Sequence, residues 1–148
     1  IDLNLVLKNS IESLSPQAEQ KDISIIADNL TSDCNIKGDA HLLERAVNNL
    51  IDNAVRHTPS GGEIFVTCNR DETCVTFMIQ DTGEGFSEED FQRVFEPLYR
   101  GEASRNRSTG GAGLGLTISQ RIIRQHGGEL VVGNHPEGGA FLKGWIPI

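Results

Sequence analysis

The 148-residue sequence predicts an α/β sandwich, in which a mixed β-sheet carries helices on one of its faces. Three observations support this prediction. Segments with helical periodicity alternate with short apolar segments typical of strands, turn-forming residues join two pairs of those strands, and glycine pairs follow two of the helices. The length is that of one domain, residues 1–148, with a single hydrophobic core.

The first part of the chain predicts a helix and two short strands. The helix runs from Leu3 to about Lys21, and Pro16 is expected to kink it or to divide it in two. Ser24–Ala27 is a candidate strand, and Cys34–Lys37 is a second, weaker one.

A long helix and a hairpin follow. Asp39 is suited to cap a helix over Ala40–His57, which Pro59 and the glycines after it terminate. Glu63–Asn69 and Cys74–Asp81 are apolar or alternating segments. The turn residues between them predict an antiparallel pair.

The last part predicts a short helix, a loop, another helix and a second hairpin. The short helix covers Glu88–Val94, and the polar, glycine-rich stretch from Pro97 to about Ala112 predicts a mobile loop. A helix over Leu114–His126 ends at the glycine pair that follows it. Glu129–Gly133 and Ala140–Ile146 then pair as the closing hairpin.

Composition limits the partners of this chain. A net charge of −8 without a basic stripe argues against nucleic acid. No apolar run approaches the roughly 20 residues that cross a bilayer, so we expect no membrane contact by this domain. The chain begins without Met or a signal peptide, and we expect a cytoplasmic piece of a longer protein. An acidic protein that binds a polyanion must recruit a cation and place its few arginines locally.

The three cysteines, Cys34, Cys68 and Cys74, lack the spacing of metal ligands. Two interpretations are open for them. Either Cys68 and Cys74 face one another across a hairpin turn, or all three are reduced thiols, which a cytoplasmic protein favours.

The helix Ala40–His57 has an apolar arc and a polar stripe. The arc comprises Leu43, Ala46, Val47, Leu50, Ile51 and Ala54, and the stripe comprises Arg45, Asn49, Asp52, Asn53 and Arg56. A solvated surface is the common explanation of such a stripe. Asn49 and Asn53 favour another, because Asn is a poor helix former and its carbonyl oxygen ligates Mg²⁺ without adding charge beside a triphosphate. Arg56 would then reach a phosphate, and His57 would line the base or cap the helix.

An acidic, glycine-containing turn follows the second strand of the first hairpin. Asp81 leaves an apolar strand at a buried edge and therefore needs a partner. Either it binds the exocyclic amine of adenine, with Gly83 and Gly85 letting the flat ring approach the backbone, or it caps the amides of its own turn.

A second glycine-rich segment, TGGAGLGLTI from Thr109 to Ile118, leads into a helix whose N-terminal amides favour phosphate. It lacks the Lys-Ser/Thr of a Walker A loop, and the chain lacks the H-R-D and D-F-G of protein kinases. Arg100, Arg105 and Arg107 form the densest basic cluster just before it. A polyanion would be held there.

Four segments in this order resemble the catalytic and ATP-binding domain of bacterial sensor histidine kinases. This domain belongs to the superfamily shared with type II topoisomerase, heat-shock 90 chaperone and mismatch-repair ATPases. Residues 49–54 (NLIDNA) resemble its N box, 81–85 (DTGEG) its G1 box, 91–100 its F box and 111–116 (GAGLGL) its G2 box. Each motif alone is loose, whereas four in order are specific, and they cover nearly the whole chain.

The resemblance implies a fold and a set of contacts. The fold is a five-stranded mixed sheet under three helices, with ATP between the N-box helix and residues 97–112, which correspond to a mobile ATP lid. Asn53 with Asn49 would hold Mg²⁺, Asp81 would bind the adenine amine, and Arg56 and Arg100 would contact phosphates. Asn49 and Arg100 would be the catalytic residues. The other implied ATP contacts are His57, Gly83, Gly85, Tyr99, Thr109, Gly111, Gly113, Leu114 and Gly115.

Two positions depart from the family pattern. Ala140 stands where the family often has Thr or Ser before the Phe, so a water-mediated hydroxyl contact near adenine is expected to be missing. His57 stands where Tyr is frequent, which weakens stacking on the base.

Asn49 distinguishes a kinase from an ATPase. Hydrolysing relatives carry a Glu there as general base, and Asn cannot take a proton near neutral pH, so we expect slow hydrolysis. Phosphoryl transfer needs mostly positioning and charge neutralisation. None of the four histidines is followed by the acidic residue and Pro of a phospho-acceptor segment, so the chain is not expected to label itself.

We therefore predict transfer of the γ-phosphate of Mg²⁺-ATP to a histidine on a separate dimerisation/phospho-acceptor domain of the same or a partner subunit, with a response regulator downstream. The fragment is expected to be a monomer, and its parent an inner-membrane sensor kinase. Two alternatives are a serine kinase of the anti-sigma-factor type and a nucleotide-sensing module of a degenerate kinase. Asn49 disfavours a water-hydrolysing ATPase.

Overall fold

The computed structural model describes residues 1–28, 30, 33–88, 95 and 112–148. The elements that lie within these residues are α1 (Leu3–Gln20), β1 (Ser24–Ile26), α2 (Ala40–His57), β2 (Glu63–Arg70), β3 (Cys74–Asp81), α3 (Ala112–Gln125), β4 (Glu129–Asn134) and β5 (Ala140–Pro147). The predicted helix Glu88–Val94 and the predicted mobile loop, the ATP lid, lie outside the described residues, apart from their end residues Glu88 and Ala112.

The strands form one five-stranded sheet in the order β1-β2-β3-β5-β4. β1 is parallel to β2, and the other three pairs are antiparallel. Burial alternates along β5, where Leu142 and Ile146 are buried while Lys143 and Trp145 are exposed. One face of the sheet therefore packs against the helices and the other faces solvent. This arrangement confirms the predicted two-layer α/β sandwich with a mixed sheet and three helices.

The hydrophobic core lies between the helices and the sheet. Its most buried large side chains come from both layers and include Leu43, Leu50 and Ile51 of α2, Ile123 of α3, and Ile64, Phe77, Ile79, Leu130 and Ile146 of the strands. The six residues of the predicted apolar arc of α2 are all buried. Among the described helices, none has the length and apolar content that crossing a membrane requires.

Pro16 lies inside α1, which is one continuous helix. The prediction that Pro16 divides the helix is therefore wrong. Leu14 and Ala18, on either side of Pro16, are both buried in the core. This packing outweighs the backbone hydrogen bond that proline cannot donate.

The segment Cys34–Lys37 is not a strand, contrary to the prediction. It makes a single bridge, between Asn35 and Asp2, and the Cys34 carbonyl accepts a hydrogen bond from the Leu3 amide at 3.1 Å. The segment is thus paired with the first residues of the chain, and these backbone bonds hold it outside the sheet.

The cysteine thiols are free, as one of the two interpretations expected. Cys68 does not face Cys74, because the β2–β3 register places it opposite Phe77. Its Sγ instead lies 3.3 Å from the Sγ of Cys34 in the core. Burial, reinforced by the neighbouring Cys34 thiol, raises the pKa of Cys68 far above its usual range, so this thiol is protonated and unreactive near neutral pH.

The ends of α2 agree with the prediction. Asp39 Oδ1 accepts a hydrogen bond from the Leu42 amide at 3.1 Å and caps the N-terminus. At the other end, Lys21 Nζ donates to the carbonyls of Val55 at 2.8 Å and Arg56 at 3.1 Å. A cation near the last carbonyls complements the helix dipole, and it ties the end of α1 to the end of α2.

α3 begins two residues earlier than predicted, at Ala112, so part of the glycine-rich segment is helical. It ends at the predicted glycine pair: Gly127 has φ +82°, and the amide of Gly128 donates to the Ile123 carbonyl at 3.1 Å. In the α2–α3 interface, buried Ser119 Oγ donates to the Ala46 carbonyl at 2.9 Å. This contact keeps α3 against the helix that carries the polar stripe.

Candidate nucleotide-binding site

Asn53 is the buried member of the polar stripe of α2, with 7% of its surface exposed. Its Oδ1 atom has no hydrogen-bond partner among the described residues. An unpaired buried amide oxygen costs about 1–3 kcal/mol, so its presence indicates a site that a ligand completes. Asn49, one turn earlier, is half-buried on the same stripe. Two neutral oxygen donors at this spacing fit Mg²⁺, which takes its other ligands from phosphates and water.

Arg56 pairs with Asp52 on the same helix, and the distance from Arg56 Nε to Asp52 Oδ2 is 2.9 Å. Both side chains are 37% exposed. Exposed pairs of this kind contribute roughly 0.3–0.5 kcal/mol, so Arg56 can exchange this carboxylate for a phosphate at little cost. In the described conformation its guanidinium faces Asp52.

Asp81, the last residue of β3, is also buried, with 7% of its surface exposed. Its Oδ1 accepts hydrogen bonds from the amides of Gly83 at 2.9 Å and Ala140 at 3.1 Å. Its Oδ2 accepts none from the described residues. The carboxylate thus caps its own turn, one of the two predicted roles, through one oxygen, and the other oxygen remains available for a ligand.

Two glycines beside Asp81 leave no room for a side chain. Gly139 has φ +89°, and a Cβ atom there would lie 1.9 Å from the Asp81 carbonyl oxygen. Gly85 has φ +81°, and a Cβ atom there would lie 2.6 Å from Asn134 Oδ1. The backbone of the β4–β5 hairpin therefore contacts the Asp81 turn directly, as only glycine permits.

The turn is also joined to the end of α2. A Cβ atom at Gly83 would lie 3.1 Å from the His57 carbonyl oxygen. The turn is likewise joined to the start of β2, where Thr82 Oγ1 accepts a hydrogen bond from the Glu63 amide at 2.9 Å. Asn53, His57 and the Asp81 turn therefore belong to one side of the molecule. Whether the His57 ring lines a base stays a prediction.

Several predicted contacts lie outside what the structure describes. Tyr99, Arg100, Thr109 and Gly111 are not among the described residues. Gly113, Leu114 and Gly115 fall in the first turns of α3, where the backbone alone is described. Their roles as ATP contacts stay predictions.

Sequence reasoning missed two contributors to this region. The Ala140 amide bonds Asp81, although Ala140 was noted only for its missing hydroxyl. The Asn134 side chain makes two hydrogen bonds to the backbone of Phe86. No local pattern signals either contact, because both join residues that are far apart in the sequence.

The fold and this site define a nucleotide-binding α/β sandwich. Residues 38–148 match the family model of histidine kinase-, DNA gyrase B- and HSP90-like ATPases, and the chain belongs to that family. Within it, the chain is the catalytic, ATP-binding domain of a bacterial sensor histidine kinase, as the relatives and solved structures below indicate.

One relative is the signal transduction histidine-protein kinase BaeS of Escherichia coli (strain K12), 36% identical over 111 residues, which are 75% of this chain and 24% of BaeS. Among solved structures, the mycobacterial sensor histidine kinase MprB has a TM-score of 0.83 at 28% identity, with 99% of this chain and 95% of that chain covered. Full-length ShkA in complex with AMPPNP has a TM-score of 0.82 at 30% identity, covering 99% of this chain and 30% of ShkA. The chain spans about a quarter to a third of the length of its curated relatives.

Proposed function

We propose that this domain binds Mg²⁺-ATP between α2 and the Asp81 turn and transfers the γ-phosphate to a histidine on a separate dimerisation/phospho-acceptor domain. The observation that carries the proposal is the buried, unpaired Oδ1 of Asn53. In this proposal Asn53 and Asn49 hold Mg²⁺, and the free oxygen of Asp81 accepts a hydrogen bond from the adenine amine. The likeness to full-length ShkA, which was solved in complex with AMPPNP, supports nucleotide binding.

Asn49 favours phosphoryl transfer over hydrolysis. An amide side chain has no basic site that can take a proton from water near neutral pH. Transfer to a histidine needs no such base on this domain, since positioning and charge neutralisation provide most of the rate enhancement. We propose that Mg²⁺, Arg56 and Arg100 supply the positive charge and that Asn49 and Arg100 act at the transferred phosphate.

The partners follow from this function. The acceptor histidine lies on a dimerisation domain of the same or a partner subunit, and the phosphate then passes to a response regulator. We place the domain in the cytoplasm, as part of a sensor kinase that is anchored in the inner membrane.

Calorimetry with a non-hydrolysable ATP analogue, with and without Mg²⁺, tests the site. Asp81→Asn should weaken binding in both conditions by roughly ten- to a hundred-fold, because one charge-assisted hydrogen bond to a buried base is lost. Asn53→Ala should remove the gain in affinity that Mg²⁺ gives. Asn69→Ala, which changes an exposed asparagine in β2, is the matched control. An unchanged dissociation constant in Asp81→Asn would remove Asp81 from the site.

Incubation with γ-labelled ATP tests the transfer. The chain alone should acquire no acid-labile phosphohistidine, whereas an added dimerisation domain should become labelled. A serine kinase would instead label a serine-containing partner with acid-stable phosphate.

A further inference from the structure

Asn134, the last residue of β4, joins the β4–β5 hairpin to the segment that follows Asp81. Its Oδ1 accepts a hydrogen bond from the Phe86 amide at 2.7 Å, and its Nδ2 donates to the Phe86 carbonyl at 2.9 Å. One side-chain amide thus pairs with both polar backbone groups of a residue 48 positions away. This geometry fixes Phe86 in both position and orientation.

Asn134 also contacts the turn through Gly85 and through its own strand partner. The position of a Cβ atom on Gly85 is 2.6 Å from Asn134 Oδ1. In the β4–β5 ladder, Asn134 pairs with Ala140, whose amide bonds Asp81 Oδ1. The contacts form a closed loop, from Asp81 along the chain to Phe86, across to Asn134, and back through Ala140 to Asp81.

The core does not need the Asn134 side chain. Asn134 is exposed, whereas Leu130 and Gly133 of the same strand are buried. Removing an exposed amide side chain creates no cavity, so a variant at Asn134 loses mainly its hydrogen bonds to the turn.

We propose that Asn134 is a positioning residue of the nucleotide site, which holds residues 82–86 so that the Asp81 carboxylate and the glycine backbone keep the geometry that adenine requires. The inference rests on the proposed function of the site. Asn134 acts through Asp81 and Phe86 and does not itself contact the nucleotide. Adenine carries an amine where guanine carries a carbonyl, so a misplaced carboxylate at Asp81 loses discrimination between the two bases.

Asn134→Ala tests this role when binding of the ATP and GTP analogues is measured on the whole chain. We expect ATP binding to weaken roughly ten- to thirty-fold, as two hydrogen bonds are lost, and the preference for ATP over GTP to fall. A general loss of folded protein would weaken both nucleotides equally and would leave their ratio unchanged. Amide hydrogen exchange at Phe86 should accelerate even without nucleotide. Asn69→Ala, the matched control, should change none of these quantities.

Asn134→Asp is the second variant, for the case that the alanine variant does not fold. Its carboxylate still accepts from the Phe86 amide but cannot donate to the Phe86 carbonyl, so affinity and base preference should again fall. If the wild type binds ATP and the folded variants keep its affinity and base preference, the proposed role of Asn134 is overturned. The proposed function of the site would still stand. A wild-type chain that binds neither nucleotide would overturn the proposed function as well.

Discussion

At the scale of single residues, two carboxylates fix the turns that bound β3, and the Oδ1 atom of each accepts bonds from backbone amides. Asp81 Oδ1 bonds two amides at the end of the strand. At its start, Asp71 Oδ1 accepts from the Thr73 amide at 2.7 Å, from Thr73 Oγ1 at 3.0 Å and from the Cys74 amide at 2.8 Å. These hydrogen bonds, the Thr73 amide foremost, hold the pKa of Asp71 below its usual range.

The lowered pKa of Asp71 predicts a contribution to acid sensitivity. A carboxyl group whose pKa is lower in the folded state stabilises the fold above its unfolded-state pKa, and this contribution is lost as the pH falls through the folded-state value. Asp71→Asn keeps an acceptor oxygen but does not titrate. Its free energy of unfolding, from urea titrations between about pH 7 and pH 3, should therefore fall less steeply than that of the wild type.

The control for Asp71 is Glu72→Gln, which removes a neighbouring carboxyl group and leaves the hydrogen bonds of Asp71 in place. The pH dependence of its free energy of unfolding should be closer to that of the wild type than the pH dependence of Asp71→Asn is. Identical pH profiles for wild type and Asp71→Asn would show that these bonds do not couple to folding.

At the scale of elements, His126 joins the end of α3 to the start of α2. Its Nε2 accepts a hydrogen bond from the Asp39 amide at 3.0 Å, and its Nδ1 lies 2.8 Å from the Ile122 carbonyl oxygen. Because Nε2 accepts here, Nδ1 is the ring nitrogen that can donate to the Ile122 carbonyl. The two helices that frame the candidate site are thus tied by a side chain as well as by their apolar faces.

Gly38→Ala tests the tie between α2 and α3. The added Cβ would lie 2.6 Å from Cδ2 and 2.8 Å from Nε2 of His126, so the ring must move and its bond to the Asp39 amide is lost. We expect a loss of about 1–3 kcal/mol in the free energy of unfolding, measured by urea denaturation. In a His126→Ala background the same substitution should cost less, since the ring is absent and the contact with Leu43 Cδ1 at 3.0 Å is the close one that remains. An equal loss in the free energy of unfolding in both backgrounds would show that the strain does not come from the His126 ring.

How well each element was predicted depends on how local its determinants are. The bounds of α2 were predicted because a capping Asp39 and an amphipathic pattern lie within the segment itself. The hairpins were predicted within a residue or so for the same reason. Of the two effects predicted for Pro16, a kink or a division of the helix, the division does not occur, because tertiary packing outweighed local propensity. Cys34–Lys37 was misjudged because its pairing with the first residues of the chain leaves no local signal.

The same limit applies to the site. Asn53 and Asp81 could be proposed as site residues because a polar residue on an amphipathic helix, or at the end of an apolar strand, is visible in the sequence. The contacts of Asn134 with Phe86, and of Ala140 with Asp81, depend on β5 lying beside β3, a consequence of the strand order.

At the scale of the whole molecule, the candidate site draws on three distant parts of the chain: α2, the end of β3 and the β4–β5 hairpin. A ligand that binds only this assembled arrangement stabilises the folded state by mass action. Nucleotide binding should therefore raise the melting temperature of the entire domain. A variant that lacks one contact with the nucleotide should show a smaller rise than the wild type.

Thermal unfolding with Mg²⁺-ATP gives the prediction that belongs to this scale. At a hundred times the dissociation constant, ATP should add about 2.7 kcal/mol, which corresponds to a rise in melting temperature of roughly 5–10 °C for a chain of this size. At the same concentration, Asp81→Asn should gain only about 0.4–1.4 kcal/mol, given an affinity ten- to a hundred-fold lower. GTP, whose guanine presents a carbonyl where adenine presents an amine, should stabilise the wild type much less than ATP does. Equal rises with ATP and GTP would mean that the triphosphate and Mg²⁺ provide the binding and that Asp81 does not recognise the base.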